Sequence, residues 1–469
     1  MDFLPSHTFL SAYGLLASLL PAEFSIVLGN NHNARPVAPV APSMVGPSLH
    51  DNIPLLQVHL CRIQDKCDFA LQDDREVEGH RPLSIRMQRI ARKRGSIRRT
   101  EPETDKVHEA AAALTGAERP VIVAGGGVIA SSAEPAILEL AEMLSIPVAT
   151  SLGGKGAIWD AHPLCVGVVG SYSRRCANRV VSEADLVLFI GSHTGDQVTN
   201  DWTVPGRNVA VIQIDIDPSE LGRSYPNTVP LMGDARATVQ RMKESLGRKK
   251  ENKPWIERAQ SLVKEWKDEA EPLRRSDATP IRPERLCKEI SEALPSNGIL
   301  VADTGNAGIW TGTMVYLTQP GQSYLRSAGS LGWAFPASLG AKCGAPERPV
   351  LCFTGDGGFY YHLSELETAS RCGIKTVTVV NNNHSFSQVM GLINRAYEGR
   401  SGKKDDLYKF QKVDFAQIAR GMGCFGVRVE KPEEISNALK EAFASDLPAL
   451  VDVVTDPNCR AESPWKPPA

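Results

Sequence analysis

The sequence predicts two doubly wound parallel-sheet α/β domains behind an irregular amino-terminal region. Three observations predict this. From Val107 onward, short β-branched runs alternate with stretches of helical periodicity, the pattern of strands crossed over by helices into a parallel sheet. Two of the runs end directly in glycine turns, Gly125-Gly126-Gly127 and Gly355-Asp356-Gly357. Before Val107 that rhythm is missing: a Pro-rich run covers Arg35 to Pro47, charge dominates Asp65 to Arg99, and only Ile26 to Gly29 reads as a strand. The expected division is an irregular or truncated region at 1–105, a central α/β domain at 106–246, a linker at 247–279 and a carboxyl-terminal α/β domain at 280–469.

Taken in order, the basic cluster Arg86, Arg89, Arg92, Lys93, Arg94, Arg98 and Arg99 reads as a solvated face or linker rather than a nucleic-acid patch. Val107 to Leu114 is helical, and Pro120 to Ala124 is a strand entering the glycine triplet. Glu134 to Leu144 carries apolar residues at Ile137, Leu138, Leu140, Ala141 and Leu144, which makes one helix face. Strands follow at Ile146 to Thr150, Leu186 to Ile190 and Val209 to Ile214. The last ends in Asp215 and Asp217, which either bind a ribose hydroxyl or cap a turn before Pro218. The glycine triplet is not a full GxGxxG, so it reads as a phosphate cradle or merely as a tight turn.

Residues 247–279 are rich in Lys, Arg and Glu, with helical stretches around Trp255 to Trp266. Ile281 to Leu294 is a helix, and Gly298 to Ala302 is a strand ending in Asp303-Thr304-Gly305-Asn306. Tyr324 to Ala328 is a short strand and Ala337 to Cys343 a small-residue helix. Val350 to Thr354 then delivers Gly355-Asp356-Gly357 to its carboxyl end. Ser364 with Glu367 three residues on is a capping-box signature, and Gly373 is a helix stop. Thr376 to Val380 is the next buried strand and Ala449 to Val454 the last. The crossover rule makes the strands on either side of the Ser364 helix parallel, so Asp356 and Asn383 share one sheet edge. A carboxylate and an amide oxygen suit a hard divalent cation such as magnesium or calcium, which would neutralise a diphosphate.

Composition narrows the classes. The chain has 469 residues, enough for roughly three domains at about 150 residues each. A formal net charge of -2 supplies no basic field for nucleic acid. Ten cysteines without a CxxC pair point to reduced thiols and a cytoplasmic setting. No run is apolar enough to span a bilayer, and no basic region precedes Phe9 to Leu20, which argues against a secretory signal.

The GDG at 355–357, followed after about two dozen residues by Asn382-Asn383, resembles the thiamine-diphosphate motif, with strand, helix and strand in the matching order. The resemblance extends over about Pro280 to Pro457. Residues Arg119 to Leu246 look like the central domain of acetolactate-synthase-type enzymes, including Gly154 to Ala157 followed by Asp160-Ala161-His162-Pro163. It implies a cofactor site of Gly305, Asn306, Leu331, Gly355, Asp356, Gly357, Gly358 and Asn383. Within it Asp356, Asn383 and the Ser385 carbonyl would hold Mg2+, Gly357 and Gly358 would donate to the diphosphate, and Leu331 would prop the cofactor in a bent form. His384 falls at the pocket rim or in solvent. The implied chemistry is decarboxylation or carboligation of 2-oxoacids through a thiazolium ylide, as a transferase or lyase; FAD is an option held by some members in the central domain.

One departure qualifies this. The family draws an activating glutamate from a pyrimidine-binding domain, and no residue of this chain fills that role. His108-Glu109 sits on the helix opening the central domain, and Glu23, Glu76 and Glu78 have no matching context. The chain is therefore expected to be an altered product, to work in a homo-oligomer or with a separate pyrimidine-domain subunit, or to bind cofactor without turnover. A flavin or nicotinamide oxidoreductase built on the glycine triplet is a further alternative.

Overall fold

Pleating decides which residues of each strand face which layer. In β1 (Pro120–Ala124) Val121 and Val123 join one hydrophobic cluster while Ile122 and Ala124 join another on the opposite face. A strand buried on both faces must be apolar throughout, which is why the run was legible. The chain is described by a computed structural model at residues 99–226, 228–246 and 251–468, all within the compact unit Gln64–Ala469. The expectations for Ile26 to Gly29, for Glu23, Glu76 and Glu78, and for the basic cluster up to Arg98 lie outside the described residues. Arg99, the cluster's last member, pairs with the carboxylate of Asp234 at 2.7 Å.

The first sheet adds β2 (Val148–Thr150), β3 (Cys165–Val168), β4 (Leu186–Ile190), β5 (Ala210–Asp215) and β6 (Thr228–Met232), in the order β3-β2-β1-β4-β5-β6. Every pairing is parallel. Helices Thr104–Gly116, Glu134–Leu144 and Ala235–Ser245 cover one face through Val107, Ile137, Leu140 and Met242. The other face packs against Arg175–Glu183 and the 22-residue helix Lys253–Arg274.

The second sheet contains β7 (Ile299–Ala302), β8 (Ser323–Arg326), β9 (Val350–Gly355), β10 (Val377–Asn382), β11 (Phe425–Val429) and β12 (Ala449–Val454), ordered β11-β12-β10-β9-β7-β8. It too is parallel throughout. Two parallel six-stranded sheets with helices on both faces are the predicted fold class. The sequence reading missed β3, β6 and β11, all at sheet edges. An edge strand needs no apolar run: β6 carries Pro230, and β11 carries Gly426 and Arg428.

One local expectation is corrected. Ser364 precedes the helix Glu365–Arg371 but makes no side-chain cap, and Glu367 instead reaches Arg371 at 2.8 Å, so no capping box forms. The segment between the two domains, expected to be helical around Trp255 to Trp266, carries the helix Lys253–Arg274, whose Trp255, Ala259, Leu262, Trp266 and Ala270 form a buried stripe. Those tryptophans share one hydrophobic cluster with Val121 and Phe189 of the first sheet and Leu300 and Phe353 of the second.

A polar clamp also joins the sheets. Arg174, 3% exposed, donates from Nε to the Thr313 carbonyl at 2.9 Å and pairs with the buried Asp160. Asp160 accepts the Leu317 N–H at 2.7 Å, and Lys155 donates to the Val315 carbonyl at 2.9 Å. The Arg174 guanidinium lies 4.6 Å from the Tyr316 ring centroid. Among the described residues no helix is long and apolar enough to cross a membrane.

Candidate functional site

In the second sheet β8 lies to one side of β7 and β9 to the other. Such a reversal opens a crevice at the carboxyl ends of the two strands, where α/β sheets bind ligands. β7 leads into Gly305 and Asn306, and β9 ends at Gly355 before Asp356. β10, paired so that Asn381 faces Gly355, leads into Asn383. Three adjacent strands therefore deliver most of the predicted residues to one edge.

At its centre Asp356 is 3% exposed. Its Oδ1 accepts the Gly357 N–H at 2.7 Å and its Oδ2 the Ser385 N–H at 3.0 Å. Asn383 Oδ1 accepts the same Ser385 N–H at 3.2 Å and the Ser385 hydroxyl at 3.1 Å. Two oxygens thus converge on one donor. Burial pushes the Asp356 carboxyl up to about 7 against the lowering effect of the backbone N–H groups of Gly357, Ser385 and His384. Among the described residues it makes no salt bridge. The return of the chain toward Asp356 depends on His384, whose φ of 55° is uncommon for a non-glycine residue. Its carbonyl accepts the Phe410 N–H at 2.7 Å, so this half-buried residue is a turn anchor.

The glycines are explained by close approach. A side chain at Gly357 would meet the Phe386 ring at 2.4 Å, one at Gly358 would meet Asp303 Oδ2 at 2.8 Å, and one at Gly305, where φ is 70°, would meet Gln388 at 2.7 Å. The Gly357 N–H, expected to face a diphosphate, is spent on Asp356. Half-buried Leu331 is positioned by its neighbour: the Gly332 N–H donates to Asp303 Oδ1 at 3.0 Å, and Thr354 donates to Asp303 Oδ2 at 2.9 Å. Asp303 therefore ties the ends of β7 and β9 to the Leu331 turn. Burial raises its carboxyl above the ordinary range, opposed by those donors.

Sequence reasoning gave Asp303 no role, though its place at a strand end mirrors that of Asp356. It also missed Phe386, Ser387 and Asp452. Asp452, fully buried, accepts from Asn382 Nδ2 at 2.8 Å, the Phe415 N–H at 3.0 Å and Arg428 at 2.7 Å. The paired asparagines thus divide their work, Asn382 holding the core and Asn383 facing Asp356. Asn306 Nδ2 and Asn383 Nδ2 both reach the Ser387 hydroxyl, at 2.8 and 3.2 Å.

The central domain answers its open questions differently. Gly125 and Gly127 donate to the carbonyls of Ile190 and Gly191, both at 2.9 Å, and a side chain at Gly125 would meet the Gly191 carbonyl at 2.1 Å. The triplet lets β1 and β4 close against each other, and the N–H groups of Gly125 and Gly127 are taken up by that contact. Asp217 accepts the Ser219 N–H at 2.9 Å, and Asp215 accepts the Asp217 N–H at 3.0 Å, so both carboxylates cap the turn around Pro218. His108 and Glu109 lie on the helix Thr104–Gly116, where Glu109 pairs with Lys106 at 2.7 Å.

Comparison with known proteins agrees with this division. Residues 107–242 match the thiamine pyrophosphate enzyme central domain, and residues 303–453 match the thiamine pyrophosphate enzyme C-terminal TPP binding domain. The probable acetolactate synthase large subunits of Methanococcus aeolicus and Methanocaldococcus jannaschii are each 35% identical, over 75% of this chain and 61% and 60% of their own lengths. The acetolactate synthase large subunit of Haemophilus influenzae is 29% identical over 72% of this chain and 59% of its own length. The chain thus spans about three-fifths of the curated relatives it matches. With both domains matched in order and the second sheet's crevice assembled from the motif residues, the chain belongs to the thiamine pyrophosphate enzymes and is similar to acetolactate synthase large subunits.

Proposed function

We propose that this chain binds thiamine diphosphate with Mg2+ at the carboxyl edge of the second sheet and serves a decarboxylating or carboligating reaction on a 2-oxoacid. The observation that carries the reading is the convergence of Asp356 and Asn383 oxygens on the Ser385 N–H. The donor set fits the ion. A buried carboxylate, an amide oxygen and a peptide carbonyl are the hard oxygens that Mg2+ prefers. A cation there would keep Asp356 ionised despite its burial. Asp356, Asn383 and the Ser385 carbonyl are its proposed ligands. Asn306 and the backbone at Gly305, Gly355 and Gly358 are the proposed diphosphate contacts, while Gly357 allows the close turn and Leu331 is the prop.

When bound, thiamine diphosphate supplies an electron sink for a 2-oxoacid that loses carbon dioxide. The residues of this chain bind and orient. Asp303 fixes the turn that carries Leu331, and the Phe386 ring packs closely on Gly357 beside Asp356. No residue is assigned a catalytic proton transfer: that role goes to a glutamate from a pyrimidine-binding domain, in a homo-oligomer or on a separate subunit. We keep 106–246 and 280–469 as the working domain boundaries, with 247–279 between them, and 1–105 as the amino-terminal region. Cys165, Cys176, Cys287, Cys352 and Cys424 are buried thiols that form no disulfide, which supports a cytoplasmic setting.

A candidate location for a flavin is a cleft of about 430 Å³ lined by Ser151, Tyr172, His193, Arg223 and Arg326 beyond the carboxyl ends of β2 to β4. A buried Nη2 of Arg326 has no hydrogen-bond partner there. Flavin absorbance of the purified chain tests it.

The main test is calorimetric titration of the full chain with thiamine diphosphate and Mg2+, repeated on Asp356→Ala. Loss of Mg2+-dependent binding is expected, and unchanged binding would sink the site assignment. A product assay with pyruvate follows on the same sample, with and without a supplied pyrimidine-binding domain. The chain alone should be nearly inactive; activity restored by the supplied domain separates this reading from a non-catalytic binding protein.

A further inference from the structure

We propose that Ser387 is a positioning residue that sets which end of the Asn383 amide faces the cation and couples that amide to Asn306. The inference rests on the cofactor site described above and deepens it. A hydroxyl oxygen has two lone pairs, and in Ser387 both receive side-chain amide donors: Asn306 Nδ2 at 2.8 Å and Asn383 Nδ2 at 3.2 Å. With its nitrogen held there, Asn383 turns Oδ1 toward Ser385, accepting the Ser385 N–H at 3.2 Å and the Ser385 hydroxyl at 3.1 Å beside Asp356, whose Oδ2 accepts the same N–H. The opposite rotamer would point an NH2 group at the cation and repel it. The same oxygen fixes Asn306, assigned to the diphosphate, so one side chain orders the amides on the metal side and the diphosphate side together. The Ser385 N–H and hydroxyl hold the oxygen end of the Asn383 amide while Ser387 holds its nitrogen end, and Asn382, the neighbour of Asn383, is committed to Asp452 and the Val413 carbonyl.

The test uses the full chain, with Mg2+ titrated calorimetrically at saturating thiamine diphosphate and the ligand-free thermal midpoint recorded alongside. Ser387→Ala should weaken the apparent Mg2+ affinity by about ten-fold or more, as loss of outer partners of metal ligands does. The midpoint should stay near that of the parent, which a merely structural role would not allow, and Ser387→Thr, which keeps the oxygen, should restore affinity. Ser387→Cys is isosteric but a weak acceptor, so it reads the same loss should the alanine variant fold poorly. Mg2+ affinity within two-fold of the parent in both Ala and Cys variants overturns the proposal. Asp356→Ala separates the two layers: binding that survives it sinks the site itself, whereas binding lost there and unaffected by Ser387→Ala sinks only the role of Ser387.

Discussion

At the scale of single residues, the site is held by carboxylates that have exchanged water for N–H and O–H donors. Asp452 is the clearest case, because its three partners come from β10, β11 and the start of the helix Phe415–Gly421. Asp452→Ala should cost about 3 kcal/mol by leaving the Phe415 N–H without its acceptor, Arg428 with Glu430 as its carboxylate partner and Asn382 with the Val413 carbonyl, measured as a lowered urea midpoint. Gly357→Ala should act differently, leaving the fold largely intact while the new methyl displaces Phe386 and weakens Mg2+-dependent cofactor binding in a titration. Asp356 and Asn383 were legible because local runs announce the strands that deliver them. Asp303 and Ser387 were not, because their meaning lies in partners far along the chain. The Thr354 that binds Asp303 is 51 residues away, and the Asn306 that binds Ser387 is 81 residues away. Sequence spacing carries no sign of such pairs until the strands are in register.

Among the elements, what could be read was what the core demands. β1, β4 and β12 have the ranges the apolar runs predicted, and the helix Glu134–Leu144 runs between the predicted ends. β6 and β11 escaped because solvent relaxes the demand for apolar residues at a sheet edge, while the four-residue β3, buried throughout, is short and broken by Gly167. Ser364 misled because a capping signature needs Glu367 to turn back while Arg371 offers it a charge one turn ahead. Where a cap does form, it can be tested. Asp414 accepts the Gln417 N–H at 2.8 Å at the start of the helix Phe415–Gly421, which packs on β11 and β12. Asp414→Ala should lower stability by about 1 kcal/mol, seen as a shifted urea midpoint with an unchanged slope.

For the molecule as a whole, buried groups set the response to pH and to a broken clamp. Burial pushes the Cys165 thiol up to about 11 and the Cys176 thiol up to about 12 from 9.0, and raises Cys287 and Cys352 as well. A group whose folded pKa lies above its unfolded value gives stability that is complete below the unfolded pKa and is lost as pH climbs through the folded one. Stability should therefore fall from about pH 9 toward 11 in a series of denaturation midpoints. Lys155, lowered to about 8 by burial, acts in the opposite sense but is one group against four. Arg174→Met would leave Asp160 buried without its guanidinium and should cost about 3–5 kcal/mol, read from the same midpoints.

Trp255 and Trp266 lie in the hydrophobic cluster that reaches both sheets. Their helix belongs to neither sheet's strand order, yet its buried stripe shares that cluster with residues of both sheets. The indole fluorescence of this helix is thus a built-in gauge of the distant cofactor crevice: saturating that crevice should delay the tryptophan transition on heating, although no tryptophan named here touches the crevice. The two sheets would then report as one thermodynamic body, with occupancy at one edge felt as rigidity across the other.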